Sequence, residues 1–146
     1  LGKMAMSYGY VYVAQIAMGA DMNQTLRALR EAEAYDGPSL VIAYSHCINH
    51  GIKAGMNKGL EEQAKAVKAG YWHLYRYNPA LQASGQNPFT LDSKEPTGDL
   101  REFLLGEVRY DSLRKIDPTH AEELFAKTAQ DAKERYEGYK RLAEQE

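Results

Sequence analysis

The chain is most tightly constrained by two short apolar runs separated by one amphipathic helix. The first, Tyr10-Val11-Tyr12-Val13-Ala14-Gln15-Ile16, is β-branched and aromatic and reads as a strand. Gly19 and Ala20 break it. Asp21 then offers an N-cap, with Gln24 three residues on as in a capping box. Met22, Leu26, Leu29 and Ala32 recur at helical spacing and are expected to face the sheet. Gly37, able to turn left-handed, and Pro38 stop the helix. Leu40-Val41-Ile42-Ala43 follows at once and reads as a fully buried strand. A strand–helix–strand unit of this kind predicts a parallel, right-handed α/β pairing. In such sheets the loops past the strand ends build the functional sites. Ser45 to Gly51, which holds the only cysteine, Cys47, is such a loop.

The rest of the chain continues the α/β texture and then becomes helical. A helix is expected from Lys58 to Ala69, with Leu60, Ala64 and Val67 inward and Gly70 as its stop. Tyr71 to Tyr77 reads as a third strand ended by Asn78-Pro79, and Phe89-Thr90-Leu91 as a short edge strand. Leu100 to Leu105 is a short helix. Asp117-Pro118 opens a long one, with Ala121, Leu124, Phe125, Thr128, Ala132, Tyr136 and Tyr139 along one stripe. Residues 1–98 carry a formal charge of +1 and residues 99–146 one of -3. The expected division is an α/β part over 1–98 and a helical carboxy-terminal extension over 99–146. At 146 residues the chain is one domain's worth and buries a real core. The opening Leu1-Gly2-Lys3-Met4-Ala5-Met6 reads as a helix entered partway, as in a piece of something larger.

A net charge of -2 gives no electrostatic footprint for nucleic acid or an anionic membrane, and no apolar stretch is long enough to span a bilayer. A single cysteine makes no internal disulfide, so a reducing cytoplasm is the default. Chemically, Cys47 stands beside His46 and His50. Structural zinc wants four protein ligands, and no second Cys or His pair at finger spacing exists. A buried cysteine acting as a small hydrophobe is one reading. A nucleophilic thiol with His50 or His46 as base is another. Gly51, Gly55 and Gly59 match no phosphate-binding fingerprint and supply turns.

Longer stretches carry more information. They are Met4-Ala5-Met6-Ser7-Tyr8-Gly9-Tyr10-Val11-Tyr12-Val13-Ala14, Glu31 to Tyr35, Gly37 to Tyr44, Cys47-Ile48-Asn49-His50-Gly51, Gly70 to Pro79, Asn87-Pro88-Phe89 and Leu91 to Lys94. On these the chain resembles the carboxy-terminal part of pyruvate:ferredoxin (flavodoxin) oxidoreductase. The tail past about Asp99 is looser. The resemblance implies a partial thiamin-diphosphate-binding α/β fold, with a mainly parallel sheet flanked by helices and a helical carboxy-terminal extension. Residues 1–98 would be the end of the cofactor domain.

The full enzyme would decarboxylate pyruvate and form acetyl-CoA with coenzyme A. It would pass electrons through [4Fe–4S] clusters to ferredoxin or flavodoxin, with thiamin diphosphate and magnesium as cofactors. It would be a cytoplasmic homodimer. The resemblance makes Cys47 the remote fourth ligand of the cluster nearest the thiamin. A Gly-Asp-Gly…Asn pyrophosphate motif is absent from residues 1–146, so no catalytic or thiamin-binding residue is assigned here and the segment alone is expected to be inactive. Arg76 and the histidines near Cys47 are expected at the border of the site. The alternative function is a non-catalytic α/β interaction module with a buried structural cysteine.

Overall fold

The structure is a computed structural model describing residues 1–145; Glu146, the last residue of the expected extension, lies outside the described residues. Four strands form one sheet in the order β2-β1-β3-β4: β1 (Tyr12–Ile16), β2 (Ser39–Ala43), β3 (Tyr75–Tyr77) and β4 (Phe89–Leu91). The expected parallel unit is present: β1 and β2 run parallel with Tyr12 opposite Ser39 and Ile16 opposite Ala43. β3 and β4 join antiparallel, which makes the sheet mixed. The helices are α1 (Gly2–Met6), α2 (Met22–Ala34), α3 (Gly59–Lys68), α4 (Leu100–Gly106), α5 (Val108–Ile116) and α6 (Pro118–Ala143). The α/β class with a long terminal helix is borne out.

β1 is buried along its whole length because both its faces are covered. Tyr12, Ala14 and Ile16 meet Ala28 of α2. Val13 meets Ala5 of α1, Tyr75, Phe89 and Tyr139 of α6. At the carboxyl end of β1, Ala17, Tyr44 and Leu74 pack with Ala66, Phe103, Leu104, Ala121 and Phe125. Fully burying a side chain such as Leu104 is worth about 1.5–3 kcal/mol. β2 corrects one expectation. It is an edge strand, and Leu40, Val41 and Ile42 are only half-buried.

The caps follow the sequence closely. Asp21 accepts from the Gln24 amide at 2.8 Å, and Asp117 from the His120 amide at 3.0 Å with Pro118 at the first turn. Gly70 takes φ +75 after α3, as its stop role demands. α2 ends differently from expectation. Its C-cap is Tyr35 in extended conformation, and Gly37 does not turn left-handed. A Cβ on Gly37 would meet the Tyr35 ring at 2.6 Å, so its smallness is needed for close approach.

The helix faces also differ. α2 lies on the sheet through Gln24, Thr25 and Ala28, whereas Met22, Leu26 and Leu29 point outward, the last two 46% and 47% exposed. α3 buries Gly59, Glu62, Gln63 and Ala66 and leaves Leu60 53% exposed. Small and polar residues make up both buried faces, and large apolar ones occupy the outer face. The third strand is shorter than its aromatic run, because Tyr71 to Leu74 form the turn and approach to β3.

A network of charges ties α2 to the sheet. The Arg76 guanidinium donates to both carboxylate oxygens of Asp92, at 2.9 Å each, and to Glu31 at 2.6 Å. Gln24 also donates to Asp92, and the Tyr12 hydroxyl to Glu31. The hydrogen bonds from Arg76 to Asp92 hold its pKa above the ordinary guanidinium value.

Candidate functional site

β2 leads directly into the cysteine loop. The Tyr44 amide extends the parallel ladder by donating to the Ile16 carbonyl at 2.9 Å, and the Trp72 indole donates to the same oxygen at 3.1 Å. The Tyr44 ring is buried against Trp72 and edge-on to Tyr71. The chain then turns outward. The Gly51 amide closes the turn on the Cys47 carbonyl at 2.9 Å, and Gly51 sits at φ +76, where a side chain would be strained.

Cys47 is a half-exposed free thiol with its sulfur 3.1 Å from His50 Nδ1. The His50 amide, then the His50 ring and the Asn49 amide, hold the thiol pKa down at about 7. Such a sulfur is about half thiolate near neutral pH, the form that binds metal or attacks an electrophile.

The four histidines separate. His50 joins Cys47, while His46 turns onto the start of α3, where a Cβ on Gly59 would strike its ring at 2.1 Å. His73 is 1% exposed against α6, and His120 stands in solvent near Glu123. Arg76 is engaged in the α2 network. Among the described residues no group of three or more His, Cys, Asp or Glu is placed to hold a metal ion. A [4Fe–4S] cluster is held by thiolates, four in the common case. Cys47 fits one corner of such a site through its accessible, low-pKa sulfur.

Beneath the loop lie acidic groups that the sequence reading missed. Glu107 is fully buried and accepts from the Tyr44 hydroxyl at 3.4 Å. Glu62 is 2% exposed. Burial first, and then the nearby charge of Glu107, push its pKa up, while Lys65 at 3.9 Å opposes them. Asp111 accepts from Lys53, Arg114 and Lys115, and hydrogen bonds from Lys53 and Lys115 hold its carboxyl well below the usual range. Only the spacing of Gly59, Glu62 and Ala66 signalled an inward Glu62. Nothing local marked Glu107.

Among the described residues no helix is long and apolar enough to cross a membrane. No protein-family model matches the chain. Curated relatives do. The chain is 66% identical over 143 residues to the pyruvate-flavodoxin oxidoreductase of Enterobacter agglomerans, covering 98% of the chain and 12% of that protein. It is 62% identical over 146 residues to the enzyme of the same name from Klebsiella pneumoniae, covering 100% of the chain and 12% of that protein. It is also 62% identical over 144 residues to the pyruvate:ferredoxin oxidoreductase of Moorella thermoacetica, covering 99% of the chain and 12% of that protein. The chain thus spans about an eighth of the length of these relatives, and over its whole length it matches a segment of the pyruvate-flavodoxin and pyruvate:ferredoxin oxidoreductases.

Proposed function

We propose that this chain is the carboxy-terminal segment of a pyruvate:ferredoxin (flavodoxin) oxidoreductase and that Cys47 is a ligand of an iron–sulfur cluster. The whole enzyme oxidatively decarboxylates pyruvate to acetyl-CoA and CO2 and passes the electrons via [4Fe–4S] clusters to ferredoxin or flavodoxin. Identity along the entire chain to relatives of those names is the observation that carries the reading. The accessible thiolate at a strand end supports the role of Cys47. Thiamin diphosphate, with magnesium, supplies the carbanion chemistry when bound. Its pyrophosphate motif is not in residues 1–146.

Residues 1–98 form the end of the cofactor domain and residues 99–146 its extension, whose described part, 99–145, is mainly helical and packs on it. The protein works in the cytoplasm as a homodimer, with pyruvate and coenzyme A as substrates. Within this segment the structure of the loop does two things. It presents one sulfur to the outside, and it lowers the pKa of that sulfur through the His50 amide, then the His50 ring and the Asn49 amide. The segment alone is inactive.

The test is pyruvate-dependent ferredoxin or flavodoxin reduction by the full-length enzyme, with and without Cys47→Ala. The variant should lose acceptor reduction at least a hundredfold and keep pyruvate binding. Full acceptor reduction by the variant would overturn the role of Cys47. A full-length wild type inert toward pyruvate would overturn the enzyme reading.

A further inference from the structure

The loop that carries Cys47 leaves β2 after Ala43 and regains regular structure at Met56. Along that span it is stitched to the corner between α4 and α5. The Lys53 amide donates to the Gly106 carbonyl at 2.9 Å, and the Val108 amide to the Gly51 carbonyl at 3.3 Å. Ile52 and Glu107 form an isolated antiparallel bridge. Two side-chain ties reinforce these: the Tyr44 hydroxyl on Glu107, and the Lys53 ammonium 2.9 Å from Asp111.

The acceptors of these two ties are costly groups. Glu107 is 0% and Asp111 2% exposed. An ion pair whose lysine is partly exposed adds little net stability, and the best-attested use of a pair on a buried carboxylate is to specify one arrangement among several. Arg114 and Lys115 of α5 already neutralise Asp111, so Lys53 is not needed to balance its charge. Lys53 is the one cation on Asp111 that comes from the cysteine loop.

We infer that Glu107 and Asp111 are positioning residues: the α4–α5 corner clamps the loop, so the helical extension sets where Cys47 stands. The value of this clamp for catalysis rests on the cluster-ligand reading above, whereas the clamp itself is a property of the chain. The extension is then part of the site's machinery rather than an appendage.

Hydrogen exchange on the full-length enzyme, read by mass spectrometry over the matching peptides, tests it, with Lys53→Met as the first variant. Lys53 is itself partly exposed, and Asp111 keeps two cations, so the fold is retained. Exchange at the Gly51, Lys53 and Val108 amides should rise at least tenfold. The amides of Val13 to Ile16 and Tyr75 to Tyr77 should keep their wild-type rates, and Lys53→Arg should restore protection. Glu107→Gln is the second variant and should loosen the same amides. Unchanged rates at Gly51 and Lys53, or a rise shared equally by the sheet amides, would overturn the clamp. Iron and sulfide analysis of full-length Cys47→Ala reads the ligand proposal separately, so each idea can fail without the other.

Discussion

His73 gives the sharpest quantitative prediction. Its ring is 1% exposed and sits between Tyr136 and Tyr139 of α6, with centroids at 5.7 and 5.5 Å. Burial, and then the positive charge of Arg135, push the imidazole pKa from 6.5 down to about 4. The folded protein therefore keeps His73 neutral where the unfolded chain protonates it. Stability from this group is fully present above pH 6.5 and declines as pH falls toward 4. One pKa unit is about 1.4 kcal/mol, so the full decline is about 3 kcal/mol.

The perturbation is His73→Leu, which removes the titration and keeps an apolar side chain in the slot. Urea unfolding of both proteins at pH 7, 6, 5 and 4 gives the two stability curves. Other groups titrate in both, so they cancel in the difference. The difference should grow by about 3 kcal/mol in favour of the variant between pH 7 and pH 4. Parallel curves would refute the reasoning, because they would mean that His73 binds its proton equally well in both states.

Three further outcomes follow from other parts of the structure. Arg76→Met leaves Asp92 and Glu31 as partly buried carboxylates without their cation, and should cost about 2–4 kcal/mol in urea unfolding. Leu29→Ala, on the outer face of α2, should cost under about 1 kcal/mol in the isolated chain, whereas Ala28→Leu, against the sheet, should cost about 1–3 kcal/mol by overpacking. Iodoacetamide alkylation of Cys47 should reach half its limiting rate near pH 7, and His50→Ala should move that midpoint only part of the way upward, because the His50 and Asn49 amides remain; an unmoved midpoint would mean that the His50 ring does not sustain the thiolate.

What the sequence revealed were features written in local chemistry. Asp21 with Gln24, and Asp117 with Pro118, announce helix starts because a short acceptor satisfies free amides there. The β-branched run at Tyr12–Ile16 and the stripe Ala121, Phe125, Ala132, Tyr136 and Tyr139 also announced themselves. Helix orientation did not. Periodicity found α2 and α3 but chose their large apolar faces, since hydrophobicity cannot say which neighbour a face meets. Packing placed Ala28 against the sheet and Ala66 in the cluster with Tyr44, Leu74, Phe103 and Leu104 instead. α5 has Asp111 at its buried position, so no apolar stripe marked it. At the site, Cys47 and His50 were visible as neighbours three residues apart. Glu107 and Asp111 were not, because they reach the loop from more than fifty residues away through a corner that only the folded chain forms.

The central claim is that Cys47 supplies one thiolate to an iron–sulfur cluster of the larger enzyme. Iron and acid-labile sulfide analysis, with electron paramagnetic resonance of the dithionite-reduced protein, tests it most directly on the full-length Cys47→Ala variant. The account predicts the loss of one cluster's iron, sulfide and signal, with the other clusters retained. Unchanged iron and sulfide with an unaltered spectrum would contradict it.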